Sequence, residues 1–541
     1  MEFLSLQNPH FYFALALALI NSTLMCFAGN KFLQIMQLSG YRAQAYFNWM
    51  KDTRARYISR TAMVSFLSSA CMIVTNALLS NFSEFYSYIG FGFYIYFNIV
   101  FIKHIYNAYK KTPLVQTRRM NRLITTLFFL VFFFTIGLLC ISVEYIPIYS
   151  YAIIGLVPVC LPILVLLANY INYPFEFLIK KWYILRAKKE LAKHKDLIKI
   201  GITGSYGKTS TKYILNKMLS QKYNVCMTPH SFNTPMGITK VVLKYLKPEN
   251  EILICEMGAK RVGEIKELCD IVRPQYALLT PIGAQHLESF GSIENIIKTK
   301  SELVDYVGTN LKVFNGDNSI TKTIFENAKE EKIYSSLKDK NAFAYVKDIK
   351  VGAYGSKFTL VINGEYVECQ TKLLGKHNLS NIALCAGFAY KLGVSMEQIC
   401  RAILDLDCIP HRMELKQENG LIILDNSYNS SVDGYKASLE TLALFKKKTK
   451  IIVTPGIVEL GEVEQEENKK FGQAMAKVAD YVIIVNKVHQ ESIKEGLLVE
   501  GFDESKIILT ETLQDANNSF KEIIKKGDVV LFENDLPDSY R

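Results

Sequence analysis

A glycine-rich segment near the middle of the chain limits most strongly what this sequence can fold into. The segment reads Gly201-Ile202-Thr203-Gly204-Ser205-Tyr206-Gly207-Lys208-Thr209-Ser210. A short, mostly apolar stretch, 197–200, precedes it, and residues 212–219 have the apolar spacing of an amphipathic helix. A glycine-rich turn between a strand and a helix, ending in Lys-Thr, is typical of a loop that binds phosphate groups.

The residue types of this loop indicate how it would hold a nucleotide. Backbone N–H groups close around phosphate oxygens at the positive end of the following helix. Lys208 adds a mobile cation, and Thr209 offers a hydroxyl group to Mg²⁺. A chance Gly/Ser turn is the alternative, which the strand and helix context disfavours. The predicted phosphate contacts are Gly204, Ser205, Gly207, Lys208, Thr209 and Ser210.

The first third of the chain differs from the rest in charge and hydropathy. Residues 1–195 contain 19 Lys and Arg against 6 Asp and Glu, which leaves 44 and 45 of the totals of 63 and 51 for residues 196–541. Five stretches in this basic third are apolar over roughly the 20 residues that a bilayer-spanning helix requires. The predicted spans are about 11–29, 62–80, 85–102, 123–143 and 150–170.

Basic residues between these stretches indicate their orientation. The segments after the first and third stretches carry six Lys or Arg residues each, whereas segments 1–10, 81–84 and 144–149 carry none. By the positive-inside rule, the N-terminus is expected outside and the part of the chain after the last stretch in the cytoplasm. We therefore expect a multi-pass protein of the cell (inner) membrane, with the lipid bilayer as a partner.

A second basic segment follows the last predicted span. Seven Lys and Arg residues lie between Lys180 and Lys195, interleaved with Trp182 and Tyr183, which is typical of a helix at an anionic lipid surface. Nucleic-acid binding is the competing interpretation, and the neighbouring span disfavours it. The 11 cysteines form no Cys-x-x-Cys pair, so neither a disulfide framework nor a zinc site is predicted.

From Asp196 onward, short β-branched runs alternate with helical stretches, which is the pattern of parallel α/β sheets. We expect a transmembrane helical domain at 1–176, a basic linker at 177–196, a central domain at 197–409 and a C-terminal domain at 410–541. The candidate strands are Ile252–Cys255, Tyr276–Thr280, Ile422–Asp425, Ile451–Thr454, Tyr481–Val485, Ile507–Leu509 and Val529–Phe532.

Further segments carry side chains suited to metal ions and phosphates. The strand candidate that begins at Ile252 leads into Glu256, a carboxylate that could bind Mg²⁺ beside the phosphates. Many strands end in glutamate, so this feature is weak in isolation. Downstream, segment 284–291 contains His286, and segment 296–302 contains Lys300 and Glu302.

With these segments in order, the chain resembles the Mur ligase superfamily, the ATP-dependent amide ligases of peptidoglycan precursor synthesis. The resemblance is closest to the MurF ligases, which add D-alanyl-D-alanine, and it covers about residues 197–534. It implies a P-loop Mur-ligase central domain and a Rossmann-like C-terminal domain. The apolar stretches occupy the place where a domain that binds the uridine diphosphate of the substrate is expected.

The resemblance implies a role for each matching residue in the central domain. Lys208 would hold the β- and γ-phosphates, Thr209 and Glu256 would bind one Mg²⁺, and His286 a second. Lys300 matches the lysine that is carbamylated in the family and that faces a metal. The implied catalytic residues are thus Lys208, Glu256, His286 and Lys300, and the implied metal-site residues are Thr209, Glu256, His286 and Lys300.

Substrate and nucleotide contacts are implied in the same way. Taken singly, His377 could cap a helix, Arg412 could be a surface charge and Lys300 a solvated lysine; their order along the chain favours the site. The acceptor and amine contacts would be Asn233, Thr234, Tyr428 and Asn429, and the adenosine contacts would be Asn315, His377, Asn378, Arg412 and Asp425.

The chemistry that the resemblance implies requires these residue types. A carboxylate must be activated before it forms an amide, so the γ-phosphoryl group of ATP is transferred to it, and an amine then displaces phosphate from the acyl phosphate. Two Mg²⁺ ions and Lys208 would disperse the negative charge. Closure of the last domain would exclude water.

Several positions depart from the family pattern, and most lie in the C-terminal domain. Asn426 follows Asp425 where the family has a second aspartate, and His411 replaces a glycine. Ser431-Val432 stands for Asn-Pro, and Glu533-Asn534-Asp535 for a Lys-Gly-Ser-like turn, which alters the charge near the amine-binding domain.

The sequence therefore predicts a membrane-anchored Mur-type ligase that uses ATP and Mg²⁺ to join an acid, either a small molecule or linked to lipid, to an amino acid or dipeptide, without nucleic acid. A related ligase for another envelope or poly-amino-acid substrate is the first alternative. An ATP-driven membrane transporter is the second, and it is disfavoured because His286 and Lys300 have no role in it and the spans lack central charges.

Overall fold

The computed structural model describes residues 9–52, 57–79, 87–107, 113–145, 152–428 and 431–535. They divide into a helical unit, which ends at Lys180, and an α/β unit, which begins at Lys181.

The helical unit consists of apolar helices, and a helix lies over each of the five predicted stretches. Small and β-branched residues do not break these helices, because tertiary packing and continuous apolar surface outweigh propensity. The helices are α1 (Pro9–Ala28), α2 (Asn30–Leu38), α3 (Ala43–Asp52), α4 (Tyr57–Leu79), α5 (Ser87–Asn107), α6 (Arg118–Tyr145) and α7 (Val157–Lys193).

Not all of these helices are long and apolar enough to cross a bilayer. Within the described residues, Arg118–Cys140 and Ile154–Lys193 meet that requirement, and the bent pair Ala14–Ala28 and Asn30–Leu38 would add a third span. The apolar parts at the second and third predicted stretches, Thr61–Thr75 and Gly92–Lys103, are shorter than a span needs. Length and composition thus support two or three spans, and the prediction of five is not supported.

A polar network lies inside the helical unit. The buried Asn21 amide donates to Thr135 Oγ1 at 2.8 Å, and the Tyr94 hydroxyl donates to Asn21 Oδ1. These bonds join α1, α5 and α6. In a bilayer, apolar helices gain no hydrophobic driving force from associating with each other, because lipid tails are equally apolar. Side-chain hydrogen bonds of this kind then help to hold the helices together.

The predicted basic linker is helical as far as Lys193, because α7 continues through it. Ala187 and Leu191 are buried in a hydrophobic core of the central domain. Trp182 and Leu185 are exposed, at 55% and 58% of their surface. In this end of α7, one face therefore packs against the central domain, and the face with Trp182 and Leu185 is exposed.

The central domain contains a nine-stranded sheet. Its strands are β1 (Ile198–Thr203), β2 (Val225–Met227), β3 (Ile252–Glu256), β4 (Tyr276–Leu279), β5 (Lys312–Asn315), β6 (Lys332–Ser336), β7 (Ala344–Gly352), β8 (Gly355–Ile362) and β9 (Glu365–Thr371). The strand order is β2-β3-β1-β4-β5-β6-β7-β8-β9. The order reverses beside β1, which pairs in parallel with both β3 and β4, and such a point is where ligands bind in open α/β sheets.

Helices cover both faces of this sheet. One core packs the sheet against helices 208–219, 376–391 and 396–404, and the other packs it against helices 235–244, 264–272 and 293–307. They are α8 (Lys208–Leu219), α9 (Pro235–Lys244), α10 (Glu264–Val272), α11 (Leu287–Phe290), α12 (Ile293–Val307), α13 (Ser319–Asn327), α14 (Lys376–Lys391) and α15 (Met396–Leu404).

The C-terminal domain has a six-stranded sheet in the order β10-β11-β15-β12-β13-β14. All neighbouring strands are parallel except β10 and β11. The strands are β10 (Glu414–Glu418), β11 (Leu421–Asn426), β12 (Lys450–Thr454), β13 (Tyr481–Val485), β14 (Ile507–Thr510) and β15 (Val529–Glu533), and the helices are α16 (Val432–Leu442), α17 (Glu464–Ala476), α18 (Gln490–Val499) and α19 (Leu513–Ile523).

All seven strand predictions are confirmed, with ends that move by at most one residue. The expectation of purely parallel sheets is incomplete. β7, β8 and β9 form an antiparallel meander, because two-residue connections such as Asn363-Gly364, with positive φ at both positions, suit tight hairpins.

Candidate active site

The glycine-rich segment forms a tight loop at the carboxyl end of β1. Gly204 has a φ of 149° and Gly207 a φ of 73°, which residues with side chains rarely adopt. A Cβ atom at Gly204 would lie 2.0 Å from Thr280 Oγ1, and one at Gly207 would lie 2.9 Å from Asn381 Oδ1. The loop is therefore a cradle that only glycine permits. Ser205 and Ser210, which are also predicted phosphate contacts, are buried.

Lys208 begins α8 and folds back over the loop. Its Nζ atom donates to the carbonyl oxygens of Gly204 at 2.7 Å and Ser205 at 2.8 Å. Burial lowers the pKa of Lys208 to about 8; the charge of Glu256 opposes this shift and that of Arg412 adds to it. A phosphate group beside the ammonium would favour its charged form, so a bound nucleotide would raise the pKa of Lys208 and keep its charge.

Glu256 lies directly beside the loop, at the end of β3, and is almost completely buried. Its Oε2 atom accepts from Thr209 Oγ1 at 3.1 Å and Lys212 Nζ at 3.0 Å, and its Oε1 atom accepts from Asn233 Nδ2 at 3.1 Å. Burial would raise the pKa of Glu256, but Lys212, Lys208 and these hydrogen bonds lower it below its ordinary value. The carboxylate is therefore ionised and held in one orientation.

Lys212 is a residue of this site that sequence reasoning missed. Its ammonium group is fully buried, pairs with Glu256 and also donates to the His230 carbonyl oxygen. Lys208 and Lys212 are four residues apart and share one face of α8. The sequence signal that could have identified Lys212 is its position four residues after Lys208, on the same face of the predicted helix. This segment was used in the sequence analysis only as evidence for an amphipathic helix.

The segment with the predicted acceptor contacts is held by the same carboxylate. Besides bonding Glu256, Asn233 accepts from the Gly258 N–H group at 3.0 Å through its carbonyl oxygen. Thr234 caps α9, since its hydroxyl oxygen accepts from the Gly237 N–H group at 3.3 Å. Asn233 thus lies at the predicted metal and phosphate position, while the side chain of Thr234 is engaged in stabilising the helix.

His286, predicted to bind a second Mg²⁺, contacts a carboxylate of the C-terminal domain. Its Nδ1 atom is hydrogen-bonded to Glu459 Oε2, and Lys260 Nζ donates to Glu459 Oε1 at 2.8 Å. Burial lowers the pKa of His286, and Glu459 opposes that shift. Burial opposes ionisation of Glu459, but His286 and Lys260 lower its pKa to about 2. Glu459 is therefore held ionised beside the ring of His286. Glu459 was not identified in the sequence analysis. The signal that could have done so is its position as a carboxylate shortly after strand β12.

Lys300 is buried on α12. Its amine makes no hydrogen bond or ion pair with any residue in the described part of the chain, and it lies 5.9 Å from the centre of the Phe290 ring. Burial and the charge of Lys208 hold the pKa of Lys300 well below its ordinary value. Glu302 faces elsewhere: it accepts from the N–H groups of Gly263 and Lys266 at the start of α10.

Two buried polar atoms of the predicted adenosine contacts have no hydrogen-bond partner among the residues that the structure describes. Asn315 is satisfied, because its amide donates to Ser380 Oγ at 2.7 Å and its Oδ1 atom accepts from two N–H groups of the next loop. His377 Nδ1 and Asn378 Oδ1 are buried without a hydrogen bond to the described residues. Burial lowers the pKa of His377 to about 4. A neutral imidazole and an amide oxygen are therefore available to a polar ring.

Two predicted residues of the C-terminal domain contact each other and the central domain. Arg412 donates to the Tyr428 carbonyl oxygen at 3.1 Å, and its guanidinium group lies 4.3 Å from the centre of the Tyr428 ring. The Tyr428 hydroxyl donates to Ser231 Oγ at 2.7 Å. Tyr428 therefore reaches the segment that holds Asn233. The predicted contact Asn429 lies outside the described residues.

Asp425 has its partners within the C-terminal domain. Its carboxylate accepts from Lys416 Nζ at 2.7 Å and Ser427 Oγ at 2.6 Å, and it lies 2.8 Å from His411 Nδ1. Burial opposes ionisation, but these partners lower the pKa of Asp425 to about 2. The carboxylate is thus already paired with Lys416, and its contact with the nucleotide stays a prediction.

Two departures from the family pattern meet in space. The Asn426 amide donates to Glu533 Oε1 at 3.1 Å and to Oε2 at 3.0 Å, and Ser438 Oγ donates to Glu533 Oε2 at 2.6 Å. Glu533 is fully buried. The aspartate that the family has at position 426 would place its carboxylate beside that of Glu533. Asparagine at 426 avoids this repulsion, so the two departures compensate each other.

The central-domain residues fit the groups that the sequence implies. The glycine cradle suits phosphate oxygens, and the unpartnered atoms of His377 and Asn378 suit a nucleotide base. The hydroxyl of Thr209 and the carboxylate of Glu256 are hard oxygen ligands, the type that Mg²⁺ prefers.

Comparison with known families decides the class of the protein. Residues 202–389 match the Mur ligase middle domain, and residues 411–533 match the Mur ligase, glutamate ligase domain. The UDP-N-acetylmuramoyl-tripeptide–D-alanyl-D-alanine ligase of Bacillus subtilis is 31% identical over 340 residues, which are 62% of this chain and 72% of that protein. The chain belongs to the Mur ligase family. This Mur ligase is therefore an ATP-dependent ligase that forms carbon–nitrogen bonds.

Other relatives agree with this assignment. The enzyme of the same name from Escherichia coli is 29% identical over 334 residues, 61% of this Mur ligase and 73% of the relative. The MurF ligase from Thermotoga maritima, solved in complex with ADP, superposes with a TM-score of 0.59 at 27% identity and covers 66% of this chain and 80% of that chain. The relatives thus share the α/β fold described above.

Proposed function

We propose that this protein is a membrane-anchored MurF-like ligase that joins the carboxylate of a cell-wall precursor to D-alanyl-D-alanine or to another amino acid or short peptide. The observation that carries the proposal is the cluster of Lys208, Glu256, His286 and Lys300 at the carboxyl edge of the central sheet, beside Arg412 of the C-terminal domain. The relatives, which are named for ligation of D-alanyl-D-alanine to a UDP-linked muramoyl-tripeptide, support it.

The proposed reaction has two steps. A carboxylate oxygen of the acid attacks the γ-phosphorus of ATP, the bond to the bridging oxygen breaks, and ADP leaves. The amine nitrogen of the second substrate then attacks the acyl carbon, phosphate departs with one oxygen of the original carboxylate, and the nitrogen loses a proton. Lys208 would offset charge on the transferred group, and Asn233 lies where the acid could be oriented.

Thr209 and Glu256 would hold one Mg²⁺ ion, and His286 with Lys300 a second. When bound, such ions neutralise phosphate charge and align the reacting groups. Lys300 would act as a metal ligand only after its amine nitrogen adds to CO₂ and releases a proton, which creates a carbamate. Its low pKa supports this step, because the unprotonated amine is the form that reacts.

Anchoring would place the reaction at the cytoplasmic face of the cell membrane. The apolar helices of the helical unit support this part of the proposal, since two or three segments among the described residues are long and apolar enough to cross a bilayer. The basic segments beside the apolar stretches support an N-terminus outside. A helical unit in the place of a UDP-binding domain also favours a lipid-linked acid as a second candidate substrate, and the Asn426–Glu533 pair favours an amine other than D-alanyl-D-alanine.

The full-length protein in lipid nanodiscs provides the test. Release of ADP and phosphate should require an acid and an amine together, with UDP-linked and lipid-linked muramoyl peptides compared as acids. Acid labelled with ¹⁸O in its carboxylate should transfer one label to phosphate. Lys208→Ala should lower turnover by about 10³-fold, whereas Lys217→Ala on the same helix should not. ATP hydrolysis that proceeds without acid or amine would contradict the proposal.

A further inference from the structure

Glu459 is the residue through which the C-terminal domain reaches the predicted metal position of the central domain. It follows β12 in a loop, and its two carboxylate oxygens take different partners: Oε1 accepts from Lys260 Nζ at 2.8 Å, and Oε2 contacts His286 Nδ1. Its carbonyl oxygen also accepts from the Glu288 N–H group at 3.4 Å. The chain separation between His286 and Glu459 is 173 residues.

The backbone at both residues supports a specific arrangement. His286 has a φ of 56° and Glu459 a φ of 65°, in the left-handed region that costs energy for residues with a Cβ atom. Such conformations persist where surrounding contacts determine them, and they occur most often at functional sites. Both side chains are also mostly buried, with 18% and 20% of their surfaces exposed.

The tautomer of His286 follows from these contacts. Glu459 Oε2 faces Nδ1, and a carboxylate oxygen in that place favours the ring form in which Nδ1 carries the proton and donates it. Nε2 then keeps its lone pair, and it has no hydrogen bond to any residue among those the structure describes. Protein histidines that bind metals are commonly oriented in this way, with one ring nitrogen donating to a carboxylate.

We propose that Glu459 is a positioning residue that fixes the ring of His286 so that Nε2 can bind the second metal ion. The inference rests on the proposed function, in which His286 is a metal ligand. Because the carboxylate comes from the C-terminal domain and the histidine from the central domain, the ligand is oriented only while the two domains are in contact. Domain closure and metal binding are therefore coupled through one side chain, and each should strengthen the other.

A simple ion pair between domains is the competing explanation for the Glu459 contacts. Lys260 is more than one-third exposed, and exposed pairs contribute about 0 to 1 kcal/mol. Lys260→Met removes that ion pair and leaves the contact with His286 in place. It should therefore change metal binding less than a substitution of Glu459 does.

The test measures Mn²⁺ binding to the full-length protein with ADP by electron paramagnetic resonance, and the ¹⁵N shifts of His286. Glu459→Ala should weaken the second Mn²⁺ site by about 10- to 100-fold and shift the ring away from the Nδ1–H tautomer. Glu459→Gln retains an acceptor oxygen and should recover part of the loss. The matched control is Glu462→Ala, an exposed glutamate of the same loop.

Unchanged Mn²⁺ affinity and an unchanged His286 tautomer in Glu459→Ala would overturn the proposal. Equal losses in Lys260→Met and Glu459→Ala would also overturn it, because an ion pair would then explain both. Ligation by the wild-type protein is scored separately, so failure of the positioning role leaves the proposed function standing. If His286→Ala binds two Mn²⁺ ions as tightly as the wild type, the assignment of His286 as a ligand is wrong instead.

Discussion

The central domain and the C-terminal domain form the two sides of the candidate site, and they differ in how their charged groups are satisfied. On the central side, Glu256 and Lys212 form a buried ion pair next to the loop of Lys208, and Lys208 and Glu256 follow the family pattern. On the C-terminal side, the charged groups mainly pair within their own domain, and the departures from the family pattern lie there. The groups for nucleotide chemistry thus have fixed partners and keep the family residues, whereas several residues of the domain that would bind the amine differ from the family pattern.

The central network should be the more sensitive of the two to substitution. Lys212→Met removes the cation from a buried pair and leaves the Glu256 carboxylate uncompensated, which should lower the free energy of unfolding by about 3 to 5 kcal/mol. Calorimetry of the purified full-length protein would measure the loss. Lys217→Met, on the same helix, is the control. A thermal midpoint equal to that of the wild type would show that this network is not essential to the fold.

Lys300→Ala should reduce ligation by about 10²- to 10³-fold, because it removes the nitrogen on which the proposed carbamate forms. Short carboxylic acids such as formate should restore part of the rate by occupying the vacated space. Turnover with and without added acid is the measurement, and Lys298→Ala on the same helix is the control. Wild-type activity without rescue would exclude Lys300 from the mechanism.

The Asn426–Glu533 pair tests whether departures on the C-terminal side compensate each other. Asn426→Asp would place a second carboxylate about 3.0 Å from Glu533, and like charges at that distance oppose joint ionisation. The variant should lose about 1 to 3 kcal/mol of unfolding free energy at pH 7. Adding Glu533→Lys should recover most of it, as chemical denaturation can show. An additive double variant would mean that the two departures are independent.

Asp425 predicts a pH dependence on the C-terminal side. Its pKa is about 2 in the folded protein against an ordinary value of 3.8, so ionisation stabilises the fold by about 2 kcal/mol. This contribution is complete above pH 3.8 and is lost as the pH falls towards 2. Asp425→Asn should therefore be less stable than the wild type at pH 6, and the difference should shrink in acid. Equal differences at pH 6 and pH 2.5 in denaturation experiments would contradict the assigned partners.

The smallest effect is expected at the bond between Tyr428 and Ser231. Tyr428→Phe removes one exposed hydrogen bond, worth about 1 kcal/mol, and keeps the ring beside Arg412. We expect the KM of the amine to rise by about five-fold with kcat nearly unchanged. Steady-state kinetics with varied amine would measure this, and Tyr354→Phe, an exposed tyrosine outside the site, is the control. A fall in kcat alone would assign Tyr428 to the chemical step.

Prediction from sequence succeeded where the information is local. The seven candidate strands are short β-branched runs with an apolar side-chain pattern, and all of them form strands. The phosphate loop requires glycine at two positive φ angles, and this requirement is visible as a motif. It was less successful for the apolar stretches, since five spans were predicted and the described residues contain two or three segments that are long and apolar enough to cross a bilayer.

Partner choice at the site could not be predicted in the same way. Glu256 was recognised as a carboxylate at a strand end, but its counterion Lys212 was seen only as part of an amphipathic helix, and the packing of α8 is what buries it beside Glu256. Burial turns an ordinary surface charge into one that needs a partner. The meander of β7, β8 and β9 was also missed, although Asn363-Gly364 between β8 and β9 is a local hairpin signal.

By itself, the sequence determined the family, the phosphate loop, the order of the domains and the residue types that the chemistry needs. These depend on backbone requirements and side-chain chemistry that act within a few residues. Only the tertiary structure decided that Glu459 meets His286 across 173 residues, that Asn426 pairs with Glu533, and that Asp425 is neutralised within its own domain. Such contacts depend on how distant strands are ordered in a sheet and on how two domains meet.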